Sequence, residues 1–156
     1  VCRDIAEAAR IGADGVVIGA LTPDGDIDTA RVRQLTDFAH DCGLSVTFHR
    51  AFDRVRNPAE ALEVLIAIGC DRVLTSGQAP TAAEGRELLR RLVGQAAGRI
   101  VIMPGAGITP SNAADIAAYT CAAELHSSCR SKGAVSSDAA TVRAIASSIS
   151  AINPIP

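Results

Sequence analysis

The chain has 156 residues, 48% of them hydrophobic and 3% aromatic, with 15 Lys and Arg against 17 Asp and Glu for a formal net charge of -2. This composition suits one globular α/β unit and argues against a disordered or disulfide-stapled chain. No basic cluster stands out and no apolar run approaches the roughly 18 residues of a membrane span, so neither nucleic acid nor a bilayer is an expected partner.

The five cysteines, Cys2, Cys42, Cys70, Cys121 and Cys129, form no Cys-x-x-Cys pair, and their odd number argues against a disulfide framework. A reducing, cytoplasmic setting is the expectation. The chain opens on Val1, inside a helical pattern and without a basic-then-apolar leader, so a missing N-terminal portion is expected.

Ile5, Ala8 and Ala9 recur at helical spacing, and Gly12 stands where a helix would end. The run from Gly15 to Leu21 is apolar without alternation, which predicts a strand buried on both faces, as in a parallel sheet. Thr22-Pro23-Asp24-Gly25-Asp26 is turn chemistry. Asp24, Asp26 and Asp28 alternate like the start of a calcium loop, but Thr29 and Leu35 stand where that loop needs Gly and Glu. Asp26 or Asp28 is better read as the cap of the next helix, whose stripe is Val32, Leu35 and Phe38.

After Gly43 comes a strand from Ser45 that ends in His49 and Arg50. Asn57-Pro58-Ala59-Glu60 then reads as a capping box with proline at the first helical position, followed by the stripe Ala61, Leu62, Leu65 and Ile68. Residues 68–74 repeat the layout of residues 11–17, each a helix exit feeding a strand. The second of these strands ends in Leu74-Thr75-Ser76-Gly77, and Thr81 to Glu84 caps another helix. Arg99 to Met103 predicts a further strand, Pro104-Gly105-Ala106-Gly107 a tight loop, and Thr109-Pro110 a helix start. A weaker strand, Ala122 to Ser128, and a last helix from about Asp138 to Ser148 complete the pattern. The expected architecture is therefore α/β, five parallel βα units in one domain over residues 1–150, with residues 151–156 a loose tail. Five units make an open sheet or an incomplete (β/α) barrel, since a closed eight-stranded one takes about 250 residues.

Ligands bind at the carboxyl ends of parallel strands, so the polar residues there are the candidates. Alternation puts Thr47 and His49 on one strand face and Phe48 and Arg50 on the other, with the polar pair expected to point inward. Glu124 and His126 repeat the arrangement on the last strand, and Thr75 is expected to join them from between. An anion would be held by backbone at Gly105 and Gly107, by Thr47, Thr75, Ser76, Gly77 and Ser127, and by the charge of Arg50 and Arg130. Glycines also serve tight turns, and a strand-end histidine is often only a packing residue.

For catalysis the set is His49 as general acid or base, Arg50 orienting an anion, and Glu124 beside them. For metal it is His49, His126 and Cys129, with Met103 near, donors soft enough for Cu(I). His40, close to a helix C-terminus, reads as a solvated residue, and Cys42 and Cys70 as thiols at the opposite end of the sheet.

The strings Gly19 to Asp28, Val46 to Asp53, Arg72 to Gly77, Ile102 to Gly105 and Glu124-Leu125-His126 resemble the CutC copper homeostasis family. The resemblance reaches to about Arg130. It implies a TIM-type barrel in the cytoplasm, with the five strands here corresponding to strands four through eight, and a copper-handling role with Cu(I) as the metal. Ala106 departs from the family pattern, which has a glycine there, and so does Cys129, where small residues are usual. Three functions stay open: copper handling, an enzyme acting on a small anionic or phosphorylated metabolite, and a remnant without independent activity. A homo-oligomer is also open, because an incomplete barrel leaves backbone edges unpaired.

Overall fold

The computed structural model describes residues 1–130 and 135–150. The elements alternate as expected: α1 (Cys2–Arg10), β1 (Gly15–Ile18), α2 (Thr29–Asp41), β2 (Ser45–Phe48), a 3-10 helix (Arg50–Arg54), α3 (Pro58–Ile68), β3 (Arg72–Thr75), α4 (Arg86–Ala96), β4 (Val101–Pro104), α5 (Ala113–Thr120) and α6 (Ala139–Ser150). The tail at 151–156 lies outside the described residues.

Local chemistry accounts for most boundaries. Asp28 caps α2 by accepting from Arg31 N at 3.1 Å. Asn57 Oδ1 accepts from Ala59 N and Glu60 N at the start of α3, and Gly69, at φ +94°, turns the chain out of it. Two helix starts fall later than the sequence predicts. Thr81 and Glu84 do bond reciprocally, but they close a turn and α4 begins at Arg86. Thr109 likewise leads a turn, in which Asn112 Oδ1 accepts from Thr109 N, and α5 begins at Ala113. Asp24 and Asp26 lie in a small loop closed by Leu21 and Ile27, and Asp26 pairs with Arg56 at 2.6 Å.

The four strands form one parallel sheet in the order β1-β2-β3-β4. The register aligns Val17 with Thr47, Thr47 with Arg72, and Leu74 with Met103, which fixes two faces. Val46, Phe48, Val73 and Ile102 are buried and share one core with Leu35, Leu62, Leu65, Leu89 and Leu92 of the helices. Truncating any one of these leucines to alanine would cost roughly 2–5 kcal/mol.

Two expectations about the sheet change. β1 is not buried on both faces: Val17 is 63% exposed, because no element among the described residues covers the inner side of this edge strand. The predicted fifth strand is not a strand either. Residues 122–128 run as irregular chain whose tie to β4 is one backbone bond, His126 N to Pro104 O at 2.9 Å. One rung does not make a ladder, although it still brings this segment to the carboxyl end of β4.

Candidate functional site

At the carboxyl ends of β2 and β3 the center of the hydrogen bonding is Asp53, in the 3-10 helix. Its Oδ1 accepts from Thr75 Oγ1 at 2.5 Å, Ser76 N at 2.9 Å and Gln78 N at 3.3 Å. Its Oδ2 accepts from Arg50 Nε at 2.6 Å and lies 3.0 Å from Ser76 Oγ. Burial alone would push this carboxyl's pKa up, but the Thr75 hydroxyl, the Arg50 guanidinium and the backbone N–H groups of Ser76 and Gln78 outweigh it and hold the pKa below the usual value.

Arg50 is fixed along one edge only. Nε goes to Asp53 and Nη2 to Ser76 Oγ at 3.1 Å, while the edge formed by Nη1 and the second hydrogen of Nη2 is unengaged among the described residues. Such an edge matches the paired oxygens of a carboxylate or phosphate. Arg50 lines a cleft of about 610 Å³ together with Leu74, Gly107, His126, Cys129 and Arg130. That volume lies within the usual range for small-ligand sites, about 300–1,000 Å³.

The predicted residues divide between different places. Arg50, His126, Gly107, Ser127, Cys129 and Arg130 share this cleft. Ser127 contributes shape more than donors, because its hydroxyl gives its hydrogen to Ile108 O at 2.9 Å and accepts from Cys129 N. Thr75 does not join the inner face. The register places it beside Pro104 on the helix-covered side, fully buried, with its hydroxyl donating to Asp53. Ser76 is also fully buried and holds Asp53 and Arg50.

The glycines serve close packing. A Cβ on Gly77 would lie 2.4 Å from Gly85 O, and one on Gly105 would lie 2.5 Å from Leu74 Cδ1 and 3.4 Å from His126 Cβ. Gly105 therefore lets the His126 segment cross the end of β4. Ala106 and Gly107 both have φ +75°, ordinary for glycine and strained for alanine.

Three residues are elsewhere. His49 borders a separate cleft of about 510 Å³ at the β1 edge, with Cys2, Gly19 and Gln34. Its Nδ1 accepts from Ala51 N at 3.1 Å, so a neutral ring carries its proton on Nε2, and Gly19 leaves room for the imidazole, since a Cβ there would lie 2.4 Å from Cε1. Glu124 pairs with Arg72 Nε at 2.7 Å. Arg72 is the first residue of β3, so Glu124 sits toward the amino ends of the strands, away from His126 and the cleft. Thr47 aligns with Arg72 and so lies below the mouth too. Thr47 lies two residues, about 6.5 Å, before His49 along β2, while Glu124 turns to Arg72 and His126 is bonded at the end of β4, so neither Thr47 nor Glu124 joins the mouth.

The predicted metal set is split in the same way, with His126 and Cys129 in one cleft and His49 in the other. Among the described residues no three His, Cys, Asp or Glu side chains come together as a ligand group. His40 is not simply solvated, since its Nε2 lies 3.0 Å from Asp71 Oδ2. Among the described residues no helix is long and apolar enough to cross a membrane.

A family model described as the CutC family matches residues 1–131. The family protein CutC of Vibrio vulnificus is 52% identical over 129 residues, which cover 83% of this chain and 52% of that protein. The corresponding protein of Chromobacterium violaceum is 52% identical over 130 residues, 83% of this chain and 52% of its own length. This chain thus spans about half the length of the curated relatives it matches. Among solved structures it is similar to CutC from Streptococcus agalactiae, whose name assigns it, provisionally, to copper homeostasis. The TM-score is 0.75 at 32% identity, covering 80% of this chain and 60% of that one. A KDPGal structure, alike in fold alone at 18% identity, superposes with TM-score 0.67 over 99% of this chain and 67% of its own.

Proposed function

This chain belongs to the CutC family, and from that premise we propose that its cleft at the carboxyl ends of the strands holds a small oxyanionic ligand, phosphorylated or carboxylated, gripped by Arg50. One observation carries the reading: Asp53 and Ser76 fix one edge of the Arg50 guanidinium, and Arg50 lines a cleft shared with Arg130, Gly107 and His126. A guanidinium held before the ligand arrives loses little freedom on binding, which is the preorganisation a recognition site needs. His126, rather than His49, is the imidazole placed to share that ligand and to move a proton on it.

The test is thermal stabilization by a panel of phosphorylated and carboxylated compounds. Stabilization in the wild-type chain that disappears in Arg50→Ala supports the reading. Equal stabilization of both proteins, or of neither, removes Arg50 from it.

A second reading, cytoplasmic handling of Cu(I), is favoured by an imidazole and a thiol, His126 and Cys129, lining one cleft, and by the copper-homeostasis name of the Streptococcus agalactiae relative. Cu(I) takes soft donors in low number, so a His and Cys pair suits it as cargo. This reading expects Cu(I) uptake to fall in His126→Ala and Cys129→Ala and to be indifferent to Arg50→Ala. Uptake unchanged in the first two variants would count against it.

A further inference from the structure

The cleft lined by Arg50 has two ends, set apart by the order of the strands. Arg50 follows β2, Leu74 lies in β3 and Gly107 follows β4, while Arg130 lies beyond the segment that His126 ties to the end of β4. Neighbouring strands of a sheet lie about 4.8 Å apart, so the backbone after β2 and the backbone after β4 stand roughly 10 Å apart. Leu74, on the strand between them, makes that span apolar.

The donors left unspent fall at the two ends. On one side is the outer edge of the Arg50 guanidinium, whose inner edge cannot swing across the cleft without breaking its bonds to Asp53 and Ser76. On the other side Ser127 Oγ is spent between Ile108 O and Cys129 N, but the Ser128 hydroxyl and the Arg130 guanidinium, both lining the cleft, engage no partner among the described residues. No Asp or Glu is among the described residues that line the cleft, so no carboxylate in its wall competes with a ligand for Arg130 or for the outer edge of Arg50. Asp138, further along the chain, is bonded to Thr141 and makes no ion pair with Arg130.

We propose that the ligand of this cleft carries two anionic groups on a short carbon body, one seated on the outer edge of Arg50 and the other on Arg130 and Ser128, with Leu74 against the carbons between them. The inference rests on the anion reading above and narrows it to a class, phosphorylated carboxylic acids and small bisphosphates. A ligand with one anionic group fills only one end.

Calorimetric titration of the full chain with glycerol 3-phosphate and 3-phosphoglycerate tests it, because the two compounds share one phosphate ester and differ by a carboxylate in place of an alcohol. The wild type is expected to bind 3-phosphoglycerate about fivefold tighter, the upper end of what one solvent-exposed ion pair supplies. Arg130→Gln should abolish that preference, and Arg50→Ala should weaken both compounds. Arg31→Gln removes an equal charge in the separate His49 cleft and should leave the preference intact. A preference that survives Arg130→Gln, or that Arg31→Gln abolishes as well, overturns the second anion seat while leaving Arg50 its single oxyanion. Equal affinity of the wild type for the two compounds does the same. No binding of either compound by the intact chain overturns the anion reading, and this inference with it.

Discussion

Arg50 Nε donates to Asp53 Oδ2 at 2.6 Å, three residues on in the same 3-10 helix, and through that carboxylate is coupled to the loop that follows β3. Asp53 accepts from Thr75, Ser76 and Gln78 as well, so it ties the ends of two neighbouring strands together.

Replacing Asp53 by Asn keeps the shape but removes the charge, and should cost about 1–3 kcal/mol of stability in urea unfolding at pH 7. The pH dependence follows from the lowered pKa. A carboxylate whose folded pKa is depressed stabilises the fold above the unfolded value, near 3.9, and that contribution fades as pH falls through the folded pKa. The gap between wild type and Asp53→Asn should thus be full at neutral pH and shrink below about pH 4. A gap of constant size between pH 7 and pH 3 would contradict it.

The βα alternation, the caps at Asp28 and Asn57, and the positions of Arg50 after β2 and of the Gly105 to Gly107 loop after β4 are all legible in the sequence, because each depends on neighbours within a few positions. The grouping of the site was not. Thr75 can be assigned to the inner or outer side of the sheet only once the register with β4 is known, and period-two alternation within one strand says nothing about its neighbour. Nothing within a few positions marks Asp53 as a hub, although it ends the most chemical stretch of the chain. The nearest thing to a signal is an acid three residues after Arg50 in a segment too short for a full helix. Alternation puts Glu124 and His126 on one face only where their segment is a strand, and residues 122–128 form none.

Glu124→Gln should leave anion affinity in the cleft within about twofold of wild type and cost at most about 1 kcal/mol, since its partially exposed pair with Arg72 is distant from Arg50. Calorimetry and a urea melt would check both figures. A tenfold loss of affinity would return Glu124 to the site.

Gly85→Ala should be among the most damaging glycine substitutions, because a Cβ there would stand 1.9 Å from Ser76 O, which is backbone and has no room to yield. A loss on the order of 1–3 kcal/mol or more is expected in thermal melts. Since the clash lands on the loop that holds Asp53 and Arg50, anion affinity should fall with it.

Ala106→Gly works in the opposite direction. Ala106 sits at φ +75°, and relief of that strain exceeds the added freedom of the unfolded chain. Stability should rise by up to about 1 kcal/mol, read as an increased melting temperature. A decrease would mean that the loop beside the cleft is not strained there.

The most direct measurement is a phosphate titration followed by NMR, watching the Arg50 Nε–H, the Gly107 amide and the His126 ring alongside the His49 ring. The account predicts saturable shifts at Arg50, Gly107 and His126, silence at His49 in its separate cleft, and loss of the response in Arg50→Ala. Shifts confined to His49, or a response that survives the loss of Arg50, would contradict it.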